Sequence, residues 1–496
     1  MMLLSQKLCY KYALITFLFF GLQGIVSTGG ALETAFPDIP IPIPFTAGRS
    51  FHLNISIMWP LFGITGIIYF FFGREAGREI YSLKLIEANF WLFLVTIITI
   101  LGSLVLGFNE GIEYLEALRP LKVGIAVSIS ILFYNLIRTY IVSKVPKSRA
   151  TLVSILAGSC TLIVFFIPNI LRYSHPVAEE FLKFWVVHLW EEMSLELIGT
   201  GVLAAVLVTL PGMQRSTIEN VLYLDIIVMV VTGVLATGHH YYWAGGPSYW
   251  IWVGGAFSTI QIVPIFLLLY SIMKTVKLQY FSQLGQREKI VMAMIASSMF
   301  YHIFGAGLLG FLMAIPAVNK YIHGTYITSA HSHLAVFGVF GFLVLALSYY
   351  IFFSEIVLDK KSYWFSWIGI LLLNGGLLTM STALLVAGGL QSHFWYVLGL
   401  TVGETNQGIL PWMLLRLAGG LTYTAGSSLL TYVIIKKAWS NFSLCFPSLK
   451  ELEQQRCIEL KDLHNGFQQL VVTASKLEQA LSKTKLLLDK YLKIKP

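Results

Sequence analysis

Apolar residues run in stretches of helix-spanning length between short breaks of charged, glycine and proline residues, from about residue 11 to residue 436. A hydrocarbon layer of roughly 30 Å takes about 20 apolar residues coiled as a helix, so each stretch predicts one crossing. Twelve are expected: 11–31, 51–73, 88–108, 122–144, 150–171, 181–210, 221–244, 249–274, 290–316, 326–354, 363–389 and 409–436. The first, with Lys7 and Lys11 ahead of it and small residues at its end, also reads as a signal peptide. Beyond Lys437 the pattern changes. Residues 448–493 are rich in Leu, Lys, Glu and Gln, with Leu449, Leu452, Leu460, Leu463, Phe467 and Leu470 at helical spacing. They predict an amphipathic helix or short coiled coil, equally a solvated tail resting on the membrane surface. The expectation is an all-α integral membrane protein, with a membrane domain over 1–440 and a helical tail over 441–496.

Composition and charge agree with this division. Of 496 residues, 56% are hydrophobic and 12% charged, which excludes a soluble enzyme or a secreted domain. The net charge of +9 does not point to nucleic acid, because so few charges are present and they sort by side. With the N-terminus inside, the inner segments hold Lys7, Lys11, Arg74, Arg78, Lys84, Lys144, Lys147, Arg149, Arg215, Lys274, Lys277, Arg287, Lys289, Lys360, Lys361, Lys436 and Lys437. The outer segments hold Arg49, Arg119, Lys122, Arg172, Lys183 and Lys320. Seventeen against six follows the positive-inside rule and predicts a multi-pass protein with both termini cytoplasmic, its partner surface being membrane lipid. Cys9, Cys160, Cys445 and Cys457 are too scattered for a disulfide framework or a zinc site, and no motif for covalent haem attachment occurs.

Ionisable residues inside a bilayer are costly and mark function. His52, His188, His239, His240, His331 and His333 all fall in the outer third of the expected membrane, drawn from four spans, a pattern that metal or haem ligation explains better than core packing. His331 and His333 are two residues apart and point about 200° apart around a helix, so the tenth span must lie between two centres. His188 and Glu192 are four apart and share a face, with Glu196 one turn deeper and Glu191 a competitor at three. His239 and His240, adjacent near a helix end, can reach one ion if the helix loosens after Gly238. Three histidines with one carboxylate suit non-haem iron, and three histidines alone suit copper equally.

These runs, Trp185-Val-Val-His-Leu-Trp-Glu-Glu192, Gly238-His-His-Tyr-Tyr-Trp243 and His323-Gly-Thr-Tyr-Ile-Thr-Ser-Ala-His-Ser-His333, resemble those of the catalytic subunit of bacterial nitric oxide reductases, in the haem-copper oxidase superfamily. The resemblance covers about Phe51 to Lys436. It implies that His52 and His333 clamp a low-spin haem b, that His331 is the proximal ligand of a high-spin haem b, and that His188, His239, His240 and Glu192 hold a non-haem iron. It implies calcium at Glu113 beside haem propionates, which Arg416 can pair with at the same depth. A solvated loop carboxylate at Glu113, and a structural role for Arg416 on a backbone carbonyl, are the plain alternatives. It also implies the bacterial inner membrane, nitric oxide as substrate and a separate electron-donating subunit carrying haem c or copper. Oxygen-reducing relatives of the common proton-pumping type carry His-Pro-Glu-Val-Tyr in the sixth span; this chain has His188-Leu-Trp-Glu-Glu-Met-Ser, with a carboxylate and no tyrosine there.

One position departs from the pattern. Where the reductases carry a glutamate near the iron, this chain has Gln261, which hydrogen-bonds but cannot deliver a proton as a carboxylic acid does. Relatives proposed to dismutate nitric oxide to dinitrogen and oxygen are similar in having glutamine there, but they lose one of the paired histidines that this chain keeps. Glu191 or Glu196 can supply the missing acid. The expected function is reduction of two nitric oxide molecules to nitrous oxide, with Glu192, Glu196 and Gln261 as its catalytic neighbours. Dismutation is the alternative, ahead of a terminal oxidase or a haem-based membrane sensor, which would need only one of the centres.

Overall fold

The computed structural model describes the chain apart from residues 1, 37, 41–44, 113, 210–212, 243, 276–277 and 493–496, and leaves the side chains of some helical residues, Glu191 among them, undescribed. Among the described residues, eleven helices are long and apolar enough to cross a membrane: Leu4–Ala35, Thr46–Glu75, Leu83–Val105, Arg119–Val142, Ala150–Asn169, Pro176–Thr209, Arg215–His240, Ser248–Lys274, Gln286–Ala314, Tyr326–Phe352 and Lys360–Tyr396. Val402–Ser440 is a twelfth long helix, less apolar because it carries Arg416, Pro411 and several glycines and hydroxyls. These are spans 1 to 12 in chain order.

The helix starts carry their own caps, since backbone N–H groups near a bilayer need partners. Ser82 accepts the Leu85 N–H ahead of span 3, Asp359 the Ser362 N–H ahead of span 11, and Thr401 forms a reciprocal box with Glu404 at span 12. Consecutive spans pack in a ring that span 12 closes on span 1, while span 10 touches spans 1, 2, 9 and 11. Span 2 is the innermost, 94% of its apolar window lying inside the bundle. Spans 11 and 12 meet backbone to backbone: a β-carbon at Gly376 would lie 2.4 Å from the Tyr423 nitrogen, the close approach that small residues allow where no hydrophobic drive acts between helices. At the inner end, Glu75 of span 2 receives two hydrogen bonds from Arg215 of span 7, at 2.7 and 3.0 Å, and one from Thr151 of span 5 at 2.8 Å.

Several helices begin outside the apolar runs. Span 6 starts at Pro176 rather than 181, and span 2 by residue 46 rather than 51, so His188 lies about three turns into its helix instead of two, and His52 well inside instead of at the start. The added turn of span 6 carries Glu179 and Glu180, which hydropathy alone reads as loop. Among the described residues, three stretches widen into π-helix: Val186–Ser194, His302–Leu308 and Leu334–Gly341. Residues from Pro447 onward form a second compact unit, a single helix over Leu449–Leu492.

Candidate metal and haem centres

Span 6 contributes His188 and Glu192 from its π-helical stretch, a geometry that recurs at functional sites. Span 7 ends its α-helix at Ala236 and tightens into a 3-10 turn over Thr237–His240, and that turn brings both adjacent histidines inward. His188 Nδ1 lies 2.9 Å from a Glu192 carboxylate oxygen and 3.1 Å from His240 Nε2, and the other Glu192 oxygen lies 3.4 Å from His240 Nε2. His239 joins them: one ligand atom from each of His188, Glu192, His239 and His240 falls within 4.8 Å of all the others. His239 Nδ1 is held by the Ala236 carbonyl at 2.6 Å, which leaves Nε2 as its donor. Two imidazole nitrogens and a carboxylate converging on one point repel unless a proton or cation lies between them, and the N, N, N, O donor set fits a borderline divalent transition metal.

The close approach of span 8 shapes this turn. A β-carbon at Gly254 would lie 2.2 Å from the His239 backbone nitrogen, and one at Gly238 would lie 2.2 Å from the Trp250 carbonyl oxygen. Only glycines at both positions let the two backbones touch.

A second pair of rings faces across spans 2 and 10. His52 and His333 have ring centroids 6.0 Å apart and planes at 27°. Two metal–nitrogen bonds of about 2 Å plus the ring radii fill that separation. Each ring has its Nδ1 held, His52 by the Ser27 hydroxyl at 2.7 Å and His333 by the Ser329 carbonyl at 2.6 Å, so both Nε2 atoms remain as donors toward the gap. His331, on the other side of span 10, has its Nδ1 on the Gly305 carbonyl at 2.9 Å, and a β-carbon at Gly310 would lie 3.1 Å from its ring. Span 10 therefore presents His333 to span 2 and His331 to span 9. The Arg416 Nε is buried with no protein partner, a charged donor suited to the carboxylates of a porphyrin.

Other predicted positions fall elsewhere. Glu196 is buried below the cluster, with one oxygen 3.4 Å from His302 Nε2 of span 9 and the other unpartnered. Gln261 sits at the break between the helices Ser248–Ile260 and Ile262–Thr275 of span 8. Glu113 and the side chain of Glu191 lie outside the described residues. The neighbouring Glu116 is buried, accepts a hydrogen bond from Asn54 at 2.9 Å, and burial pushes its carboxyl above the usual range. Sequence reasoning did not reach Ser27, Gly254, His302 or Asp225; the Gly254-Gly255 pair in the span after the His239-His240 run was the one legible hint.

The fold agrees with what comparison finds. Residues 7–422 match the family described as cytochrome c and quinol oxidase polypeptide I, and the chain belongs to that family, the haem-copper oxidases. Within it the chain is similar to a nitric oxide reductase subunit of Stutzerimonas stutzeri, 32% identical over 358 residues, 69% of this chain and 73% of that one. It is similar more distantly to a cytochrome c oxidase subunit 1 homolog of Agrobacterium tumefaciens strain T37, 22% identical over 85% of this chain and 82% of that one. A haem-copper terminal oxidase dimer solved by cryo-electron microscopy shares the fold, with a TM-score of 0.71 at 14% identity, covering 88% and 84% of the two chains. The chain is thus a multi-pass membrane protein of an oxidoreductase family, akin to nitric oxide reductases.

Proposed function

We propose that this chain is the catalytic subunit of a membrane nitric oxide reductase, taking two nitric oxide molecules, two electrons and two protons to nitrous oxide and water. The observation that carries the reading is the Glu192 carboxylate between His188 and His240, at 2.9 and 3.4 Å, a carboxylate in the donor set where oxygen-reducing relatives of the common proton-pumping type place a tyrosine. His188, His239, His240 and Glu192 would hold a non-haem iron, copper being the alternative; His331 would hold a high-spin haem b, and His52 and His333 a low-spin haem b. Together these groups supply electrons and a template for joining two small uncharged molecules. The protein's part is to hold the donors through Ala236, Ser329, Gly305 and Ser27, to keep the site apolar, and to hold a proton on Glu196, one turn below Glu192.

In the same reading Arg416 binds haem propionates, Glu113 helps to hold calcium beside them, and electrons arrive at the outer face from a separate subunit with haem c or copper. The tail, like both termini, lies on the cytoplasmic side of a bacterial inner membrane. Dismutation of nitric oxide is the second reading, favoured by Gln261. Mass spectrometry of purified protein given nitrogen-labelled nitric oxide without oxygen separates the two. Nitrous oxide that appears only with an added electron donor is the expected result; dinitrogen and oxygen formed without a donor replace the reductase by a dismutase.

A further inference from the structure

The second unit, the helix over Leu449–Leu492, has 44 residues and, at 1.5 Å per residue, is about 66 Å long. A capping box fixes its start: the Ser448 hydroxyl accepts the Glu451 N–H and the Glu451 carboxylate accepts the Ser448 N–H, both at 3.2 Å. An amphipathic helix draws most of its stability from whatever covers its apolar stripe, yet among the described residues of this unit there is no second element to pack on it. Every side chain from Gln468 to Lys485 is exposed, including Leu470, Leu477 and Leu481 at 69%, 60% and 64%.

The spacing of the stripe identifies its cover. From Leu460 to Tyr491 the chain sets an apolar or small residue at alternating steps of three and four, Ala474 and Thr484 being the small ones. This is the a and d pattern of a coiled coil, held for more than four heptads where three to four are enough to mark one. A stripe of period 3.5 drifts about 20° per heptad around a straight helix, hence about 90° over this length. On a flat bilayer the far end of such a stripe would turn out of the lipid, whereas two helices that wind around each other keep it buried throughout. Charge agrees: Leu449–Leu492 holds seven lysines and arginines against six acids, without the strongly cationic face that holds an amphipathic helix to a membrane.

The stripe also tolerates its own copy. With two such helices parallel and in register, each g position faces the e position of the other helix five residues on, which sets Thr473 against Glu478 and Ala480 against Lys485. No like charges meet, so the pattern holds no repulsive element against self-pairing. Each tail follows span 12 in the chain, so two copies in one membrane begin their tails on the same side.

We propose that two copies of this chain join through a parallel, in-register coiled coil of their C-terminal helices over Leu460–Tyr491, a contact made outside the membrane domain.

The test uses the full chain. Mass photometry in detergent should find particles of two chains of 55.5 kDa each. Leu470→Lys with Leu477→Lys puts ammonium groups into the seam and should weaken association at least about a hundredfold. Gln469→Lys with Ser475→Lys adds the same charge outside the seam and should leave the two-chain particle intact. Register and direction are read in liposomes, in a Cys457→Ser background. Leu470→Cys and Leu477→Cys, each taken singly, should cross-link two chains on mild oxidation, and Gln469→Cys should not. A tail lying on lipid gives no cross-link at either leucine position, antiparallel tails give one at most, and random collision gives one at Gln469→Cys as readily; each of these results overturns the proposal, as do wild-type particles of one chain or of more than two. Should the double lysine variant fail to fold, the single cysteine variants, which keep the rest of the seam, decide the matter.

Discussion

Gly254 of span 8 rests against the backbone of His239 in span 7 so closely that a β-carbon would stand 2.2 Å from the His239 nitrogen. The atoms in the way are backbone, which cannot rotate aside as a side chain does, so any larger residue must push the two spans apart. The His239-His240 turn is the part that would move. Gly254→Ala should therefore lower the non-haem metal content and the turnover together, while the low-spin haem spectrum, which depends on spans 2 and 10, stays as in wild type. Metal analysis beside an optical spectrum checks this; a full metal complement with normal turnover would refute it.

Removing a donor separates the two centres more sharply. His188→Ala or His240→Ala takes one nitrogen from the converging set of four and should abolish turnover, a loss of at least about a hundredfold, without disturbing the facing pair of His52 and His333. Reduced-minus-oxidised spectra report the latter. Loss of both haem signals in these variants would undo the assignment of separate centres.

Glu75 ties three spans together at the inner end through Arg215 and Thr151. Glu75→Gln keeps the shape but leaves the guanidinium without its charge partner, and should cost about 3 kcal/mol, the lower end for breaking a buried pair, because Arg215 is partly exposed. Thermal unfolding in detergent measures it. Turnover per folded molecule at low temperature should hardly change, since none of the metal donors is involved.

The Asp359–Lys437 pair joins the start of span 11 to the end of span 12 at 2.6 Å. The Lys437 ammonium and the Ser362 N–H hold the Asp359 carboxyl well below the usual range. A depressed acid stabilises the fold above its unfolded value of about 4 and loses that contribution as pH falls through the folded one. With Asp359 44% exposed, the effect is screened and stays below about 1 kcal/mol. Asp359→Asn should be slightly less stable than wild type at pH 7, and the gap should close in acid; a gap that widens in acid contradicts the pair.

The architecture was legible because a bilayer imposes it. Length and hydropathy bring out the spans, charge bias predicts their direction, and helical periodicity turns His331 and His333 to opposite sides of one helix before any partner is known. The pairing at the sixth span was legible as well, since His188 and Glu192 are neighbours along one helix. What lay beyond the sequence is every relation between residues far apart in the chain. That Glu192 reaches His240 as well as His188, that Ser27 orients His52, that Gly254 supports His239, and that Thr200 of span 6 meets Asp225 of span 7 all depend on how closely separate helices approach. That approach is decided by side-chain size and backbone breaks, such as the 3-10 turn at Thr237 and the π-helical stretch at Val186, whose cause is packing with neighbours rather than any local preference. The residues and the spans that carry them were thus determined by the sequence itself; the tertiary structure alone decided how far into its helix each one lies and which of them meet, because contact between spans is a property of the packed bundle.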